Sequence, residues 1–298
     1  MCIRDRDSPR THKALQSCDL TVQISTKLNR SHLTVGRDAL ILPCLGRTDI
    51  DLQASGPQAV TVEDSFSMIH ASYGQLEPLA GSEMRSEPAI IAGIAKATLG
   101  NHPVDWGALI ADYDRIRELI ADTIPGFQDF NQRVAHPGGF YLGNSAGARQ
   151  WKTASGKANF KANALLDDLL PPQVRESGET PDLILQTLRS HDQYNTTVYG
   201  LDDRYRGVRG QRDVLFANEA DILRLGFKPG QKVDIRSLWN DGIERRVSSF
   251  TLLAFDIPAG QAAAYFPEAN PLVPLESAGV GSSTPVSYTH LRAHETKA

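Results

Sequence analysis

Short apolar runs separated by turn residues dominate the last third of the chain, and they constrain its fold more than any other feature. The turn sequences include Lys228–Gln231 and Asn240–Gly242, of which the second is a strong hairpin signal. A single short helix is predicted over residues 218–226. This pattern predicts a closed barrel over residues 181–286 and not a parallel sheet. The predicted strands are residues 183–188, 213–216, 232–237, 244–250 and 261–265.

Residues 7–180 have the mixed pattern of an α/β domain. Leu20–Ser25 alternates as a strand does, and Ala39–Pro43 is a second apolar run. The polar loop after Ser25 lies where open α/β sheets bind ligands, beyond the carboxyl ends of the strands. Paired prolines at Pro171-Pro172 and the polar residues that follow predict a linker to the barrel.

Two helices that pack against a core are predicted in this part. The first lies between Ser86, a suitable N-cap, and Gly100, a suitable terminator. The second is predicted over Asp105–Ala121 from its apolar spacing. Trp151–Phe160 is predicted to form short strands around a Ser-Gly turn.

Composition limits the classes of function. A chain of 298 residues with 41% hydrophobic residues suggests about two globular domains. The net charge of -4, without a Lys/Arg run, argues against a nucleic-acid partner. The sequence contains no apolar stretch of membrane-helix length and no signal peptide. Cys2, Cys18 and Cys44 are far apart, which argues against a disulfide framework, a zinc site or an iron–sulfur cluster and predicts a reducing cytoplasmic setting.

The two ends of the chain look foreign to the rest. Residues 1–6, MCIRDR, and residues 288–298, YTHLRAHETKA, resemble translated sequencing-adapter strings. We therefore expect both ends to be artefact tails that pack on nothing and contribute no stability. On this interpretation residues 7–286 are a fragment truncated at both sides.

The run Leu188–Gly207, LRSHDQYNTTVYGLDDRYRG, is dense in polar side chains and follows a predicted strand. Such a loop suits a large polar ligand, although a solvated loop has the same composition. A basic cluster follows it, formed by Arg204, Arg206, Arg209 and Arg212. The cluster is interpreted as a solvated face, with attraction of an anionic ligand as the alternative. Asp202 and Asp203 are expected to pair with these arginines and not to act as acid and base.

The polar run, together with YFPEANPLVPLES at residues 265–277, resembles the C-terminal cofactor-binding domain of the molybdopterin-dependent oxidoreductases. Within them it is most similar to the formate-dehydrogenase-like alpha subunits of the FdhF/YdeP type. The resemblance extends over nearly all of residues 7–286. It implies a partial α/β molybdopterin-oxidoreductase domain over residues 7–180, followed by a double-psi β-barrel that binds the dinucleotide cofactor over residues 181–286.

The cofactor implied by this resemblance is bis-molybdopterin guanine dinucleotide with molybdenum, and a 4Fe-4S cluster is expected in an N-terminal part that is missing here. Its pterin edge needs paired donors and acceptors, its pyrophosphate needs cationic or N–H donors, and its guanine needs a carboxylate or carbonyl oxygen. The molybdenum ligand and the catalytic residues are expected outside the fragment. The residues that the resemblance assigns to cofactor binding are Thr26, Lys27, Asn29, Arg30, Arg189, Ser190, His191, Gln193, Asn195, Thr196, Glu268 and Asn270.

The function implied is the two-electron oxidation of a small-molecule substrate, with electrons passed to an iron–sulfur relay and then to an electron-transfer partner. The fragment by itself is expected to be inactive. The alternative is a non-catalytic module that binds the cofactor. The gene sequence upstream distinguishes the enzyme from the non-catalytic module, because a four-cysteine cluster motif encoded there would support the enzyme.

Overall fold

A computed structural model of the chain describes residues 7–162, 171–190, 200–278 and 288–295, the last of these as backbone only. The described residues divide into two compact units. The α/β unit comprises residues 18–164, and the barrel unit comprises those in the ranges 1–17 and 165–298. None of the helices in the described part of the chain has the length and apolar character needed to span a bilayer.

The α-helices, in chain order, are α1 (Ser8–Gln16), α2 (Glu87–Leu99), α3 (Trp106–Ala111), α4 (Asp114–Thr123), α5 (Phe130–Val134), α6 (Pro172–Arg175), α7 (Glu219–Arg224) and α8 (Phe266–Ala269). The strands are β1 (Leu20–Ser25), β2 (Asp38–Pro43), β3 (Leu52–Gln53), β4 (Gly56–Pro57), β5 (Ala59–Glu63), β6 (Met68–Tyr73), β7 (Phe140–Tyr141), β8 (Leu183–Leu188), β9 (Asp202–Asp203), β10 (Val208–Arg209), β11 (Val214–Ala217), β12 (Lys232–Ser237), β13 (Arg246–Ala254), β14 (Gln261–Tyr265) and β15 (Tyr288–Glu295). Two 3-10 helices cover Arg30–Leu33 and Asn270–Leu272.

The α/β unit contains three small sheets. Strands β1 and β2 form a parallel pair, β3 and β4 form a short hairpin, and β5, β6 and β7 form an antiparallel sheet. A small aromatic core formed by Phe127, Phe130 and Phe140 packs beside Ile69 of β6. The strand–turn–strand predicted over residues 151–160 is wrong, because these residues form turns without strand pairing.

Helix α2 confirms the prediction between Ser86 and Gly100. The Ser86 hydroxyl oxygen accepts a hydrogen bond from the backbone N–H of Ala89 at 3.4 Å, which caps the helix. Gly100 follows the last helical residue with a positive φ of 57°, a conformation that favours glycine. Local signals therefore suffice for both ends of this helix.

The single helix predicted over Asp105–Ala121 is wrong, because α3 and α4 are separated by an extended residue, Asp112. The next residue, Tyr113, is buried, and its hydroxyl donates to Asp51 at 2.5 Å. Its backbone N–H donates to the Gln58 side chain at 2.8 Å. Burial and the neighbouring Asp51 carboxylate raise the pKa of Tyr113, so the phenol keeps its proton as a donor. These distant partners stabilise the break.

Two adjacent glycines before β7 offer a matched test of backbone crowding. Both have a positive φ, 83° at Gly138 and 71° at Gly139. A Cβ at Gly139 would lie 1.7 Å from the carbonyl oxygen of Ile69, whereas one at Gly138 would meet nothing within 4 Å. We expect Gly138→Ala to cost about 1–2 kcal/mol from backbone strain alone. Gly139→Ala should cost roughly 2–5 kcal/mol, since overpacking adds to that strain.

Urea denaturation of the two variants measures the difference. Equal losses of stability would show that Gly139 is not held against the backbone of β6.

The barrel unit contains a closed barrel with the strand order β11-β13-β12-β15-β8-β14. The pairs β11–β13 and β8–β14 are parallel, and the remaining neighbours are antiparallel. Helix α7 begins after Asn218, whose side chain accepts from the N–H of Ala220 at 2.9 Å. The one-turn helix α8 is an addition to the single helix predicted here.

The double-psi assignment of this barrel stays a prediction. Its core includes Leu185, Leu215, Ile222, Val233, Ile235, Leu252 and Leu272.

The prediction that residues 288–298 pack on nothing is wrong for residues 288–295. These residues form β15, which pairs with β12 on one side and with β8 on the other. The physical reason is that a strand pairs through backbone N–H and C=O groups, which almost any sequence supplies. Residues 1–6 and 296–298 lie outside the described residues.

Helix α1 belongs to the barrel unit, although residues 7–17 were predicted to be part of the first domain. Asp7, directly before the helix, is buried and pairs with the equally buried Arg245 at 2.9 Å. The backbone N–H of Asp7 donates to the carbonyl of Val273 at 2.8 Å. The side-chain oxygen of Asn270 accepts from the backbone N–H and the hydroxyl of Ser8 at 3.0 and 2.6 Å. These contacts tie α1 to residues at the far end of the sequence.

Candidate functional site

Two polar segments leave the barrel side by side. Strands β8 and β14 are parallel, and their register pairs Leu188 with Tyr265 at their carboxyl ends. Arg189 and Ser190 follow the first strand, and α8 follows the second. The starts of the two motifs that carry the resemblance are therefore neighbours in space, although about eighty residues separate them in sequence.

Arg212 connects these two segments. Its Nε donates to Oε1 of Glu268 at 2.9 Å, and its Nη1 donates to the hydroxyl of Ser190 at 3.2 Å. The guanidinium also lies 4.3 Å from the centre of the Tyr265 ring, a cation–π distance. The Arg212 and Glu268 side chains are 7% and 16% exposed, so this ion pair is largely removed from water.

A second charged group meets the hydroxyl of Tyr265. The Tyr265 hydroxyl donates to Oδ2 of Asp203 at 2.7 Å, and Arg206 donates to the same oxygen at 2.8 Å. Burial alone raises the pKa of Asp203, but these two hydrogen bonds, the charge of Arg206 and a hydrogen bond from its backbone N–H together lower it. Burial and the Asp203 carboxylate together raise the pKa of Tyr265. At neutral pH Asp203 is therefore an acceptor and Tyr265 a donor.

Arg189 is the exposed member of the group. Its guanidinium lies 5.8 Å from the centre of the Phe266 ring, and its carbonyl oxygen accepts from Arg206 at 3.4 Å. The backbone before it is held by pairing with β14, whereas its side chain is accessible to solvent. Arg189 can thus offer a positive charge to an anion without breaking a described ion pair.

Glu268 contributes an acceptor that is not used within the described part of the chain. Its Oε1 binds Arg212, whereas its Oε2 is buried and has no hydrogen-bond partner among the described residues. A buried carboxylate oxygen of this kind is costly unless a donor meets it. The site therefore combines positive charge from Arg189 and Arg212 with one carboxylate oxygen suited to an N–H donor. We call Arg189, Ser190, Arg212, Tyr265 and Glu268 the barrel-end cluster.

Asn270 has a structural role in anchoring α1, and its assignment to cofactor binding stays a prediction. Asn270 is 3% exposed, and its amide oxygen accepts both hydrogen bonds from Ser8 that anchor α1. This buried anchor accounts for a polar side chain in the loop without a ligand. Four of the predicted site residues, His191, Gln193, Asn195 and Thr196, lie outside the described residues.

The remaining predicted residues lie in the α/β unit, on the connection between β1 and β2. Thr26, Lys27 and Arg30 are exposed there. The side chain of Asn29 accepts from the N–H of Ser31 at 2.9 Å and caps the 3-10 helix. Asn29 thus has a local structural role, whereas Lys27 and Arg30 present charge to solvent.

The α/β unit also contains a cavity of about 600 Å³ lined by residues of α2 and α3. Its walls are mainly apolar and include Ile91 and Leu109. Asp51 at its wall already accepts from Tyr113 at 2.5 Å and from Gln53 at 2.6 Å. No ligand chemistry follows from these contacts. Among the residues that the structure describes, no three His, Cys, Asp or Glu side chains are grouped to hold a metal.

Comparisons with known proteins show that the chain is similar to parts of longer proteins. It is 51% identical, over 287 residues, to a Mycobacterium tuberculosis protein named as an uncharacterized oxidoreductase. It is 49% identical, over 268 residues, to protein YdeP of Escherichia coli. The matches cover 94% and 88% of this chain but only 36% and 34% of the relatives. The chain thus spans about a third of the length of the curated relatives it matches. No protein-family model matches it.

Arg212 and Tyr265 were not predicted as site residues. Arg212 was assigned to a solvated basic face, but its side chain is the most buried among the four arginines of the basic cluster. Asp203 pairs with Arg206 at 2.8 Å, and Asp202 pairs with Arg209 at 3.6 Å. The predicted pairing of these two aspartates with arginines of the basic cluster is therefore confirmed. A signal for Arg212 exists in the sequence, since it lies two residues before β11, a wholly buried strand.

Proposed function

We propose that this chain is the part of a molybdenum-dependent oxidoreductase that binds bis-molybdopterin guanine dinucleotide, with two-electron oxidation of a small substrate as the activity of the longer protein. The name of the Mycobacterium tuberculosis relative supports oxidoreductase activity. The resemblance of the polar run and of residues 265–277 supports the choice of cofactor. The single structural observation behind the proposal is the barrel-end cluster.

The cluster fits such a cofactor chemically. A pyrophosphate attracts cations, and the exposed Arg189 directly precedes Ser190, which together with Glu268 fixes Arg212. Pterin and guanine rings carry N–H donors, which suit the buried Oε2 of Glu268. The donor and acceptor types at this end of the barrel therefore match both polar parts of the dinucleotide.

Within the proposal, each residue has a role in binding. Arg189 would bind the anionic part of the cofactor, and Glu268 would accept from a ring N–H. Arg212 would hold Glu268 in place, because it binds the other oxygen of that carboxylate. When bound, the molybdenum centre supplies the two-electron chemistry. The protein residues named here orient the cofactor and neutralise its charge.

Arg189→Ala tests the proposal in a chimera in which this chain replaces the matched third of the Mycobacterium tuberculosis relative. A charge-assisted hydrogen bond contributes roughly 1.5–3 kcal/mol, so cofactor affinity should fall roughly 10- to 100-fold. We expect less molybdenum and less releasable pterin per protein, with an unchanged melting temperature of the cofactor-free protein because Arg189 is exposed. Elemental analysis and pterin fluorescence measure both contents.

Arg204→Ala is the matched control, since Arg204 is an exposed arginine whose guanidinium lies 5.0 Å from the Tyr205 ring and which has no role in the proposed binding. Equal molybdenum content in the wild type and in Arg189→Ala would contradict the site. A chimera that holds the cofactor but reduces no dye with any small oxidisable substrate would favour the non-catalytic module.

A further inference from the structure

The sheet formed by β1 and β2 has one face on which aliphatic side chains predominate, with Asp38 at its edge opposite Leu20. The register pairs Val22 with Leu40 and Ile24 with Leu42. Because side chains alternate along a strand, Leu20 lies on the same face as Val22. Leu20, Val22 and Leu40 are 54%, 42% and 51% exposed. We call these five residues the apolar face.

Parallel strands rarely remain exposed in this way. In α/β proteins the connection between two parallel strands usually contains a helix that covers one face of the sheet. Here the connection between β1 and β2 contains only the 3-10 helix Arg30–Leu33. Leu33 at the end of that helix is itself 85% exposed. The connection therefore supplies no cover for the apolar face.

The size of the relatives indicates what covers it. The chain matches 36% of the Mycobacterium tuberculosis protein, so the larger part of that protein lies outside the match. We propose that the apolar face is a docking surface for an amphipathic helix from this larger part of the polypeptide. The aliphatic residues of the face suit the apolar stripe of such a helix, which is the usual neighbour of parallel strands. The inference is independent of the cofactor.

The test compares Val22→Lys/Leu40→Lys in this chain alone and in the chimera. In the chain alone both positions are exposed, so the melting temperature should change by no more than about 2 °C. In the chimera the two charges would be buried against the docked helix, and the melting temperature should fall by roughly 5 °C or more. A fall of the same size in both proteins would overturn the proposal.

Leu119→Lys is the matched control, because Leu119 is 49% exposed on α4 and outside the apolar face. It should have an equally small effect in both proteins. The two parts produced as separate polypeptides should also co-purify, and Val22→Lys/Leu40→Lys should lower the recovered complex at least tenfold. Retention of the full amount of complex would contradict the proposal. A dimer of this chain alone that the same variant dissociates would assign the face to a second copy instead.

Discussion

Arg245→Leu is expected to lower the free energy of unfolding of the barrel unit by roughly 3–5 kcal/mol. The Arg245 side chain is 2% exposed and lies 2.9 Å from Asp7 and 2.8 Å from Asp241. The Asp7 carboxylate is 4% exposed and would lose the guanidinium that neutralises it. The large effect arises because one charge stays buried after its partner is removed. Chemical denaturation measures it.

Arg209→Leu is the control for this prediction. Arg209 belongs to the same unit and pairs with Asp202 at 3.6 Å, but its side chain is 79% exposed. Exposed pairs contribute little, so the free energy of unfolding should change by less than about 1 kcal/mol. If both arginine variants lost the same small amount, Arg245 would not anchor α1.

Arg212→Leu should have the second large effect, a loss of roughly 3 kcal/mol in the free energy of unfolding. The variant leaves Glu268 with a buried carboxylate and without the guanidinium bound to its Oε1. The double variant Arg212→Leu/Glu268→Leu removes both charges and should recover most of the loss. Denaturation of the two variants in this chain provides the comparison.

Cofactor content separates structural effects from binding in these variants. In the chimera, the double variant should regain stability while its molybdenum and pterin contents stay low, because the proposed acceptor Glu268 and the Arg212 that holds it are both absent. If stability and cofactor content both recovered fully, the Arg212–Glu268 pair would have only a structural role. A double variant less stable than the single one would show that the pair is not a coupled unit.

Local signals in the sequence predict much of the secondary structure. Helix α2 follows from Ser86 and Gly100, and strands β1, β8, β12 and β14 match their predicted bounds. These features depend on capping, on alternation and on turn residues that lie within a few positions of each element. Neighbouring residues are enough to determine them.

Contacts between distant residues account for most differences from the predictions. The break between α3 and α4 depends on the hydrogen bond of Tyr113 to Asp51, 62 positions away. The side-chain oxygen of Asn270 accepts a hydrogen bond from Ser8, 262 positions away. Strand β15 is held by backbone pairing, which leaves no pattern in its side chains. The periodicity of apolar residues within a segment does not reveal partners that lie far away in sequence.

The candidate site was predicted in part. Arg189, Ser190 and Glu268 were expected at one place, and the parallel pairing of β8 with β14 brings them together. Arg212 was missed because four arginines at short spacing look alike in sequence, whereas only the fold determines which one is buried. The roles of Thr26, Lys27 and Arg30 in cofactor binding stay predictions.

The anchoring of α1 has a consequence for the order of events during synthesis. Asp7 leaves the ribosome before its partner Arg245, which is added 238 residues later. At ordinary elongation rates of about 5–20 residues per second, this interval lasts on the order of ten seconds or more. During that time residues 18–164 are complete and can form the contacts within their own unit. The α/β unit should therefore fold first, while α1 waits for the barrel strands and is exposed to chaperones and proteases.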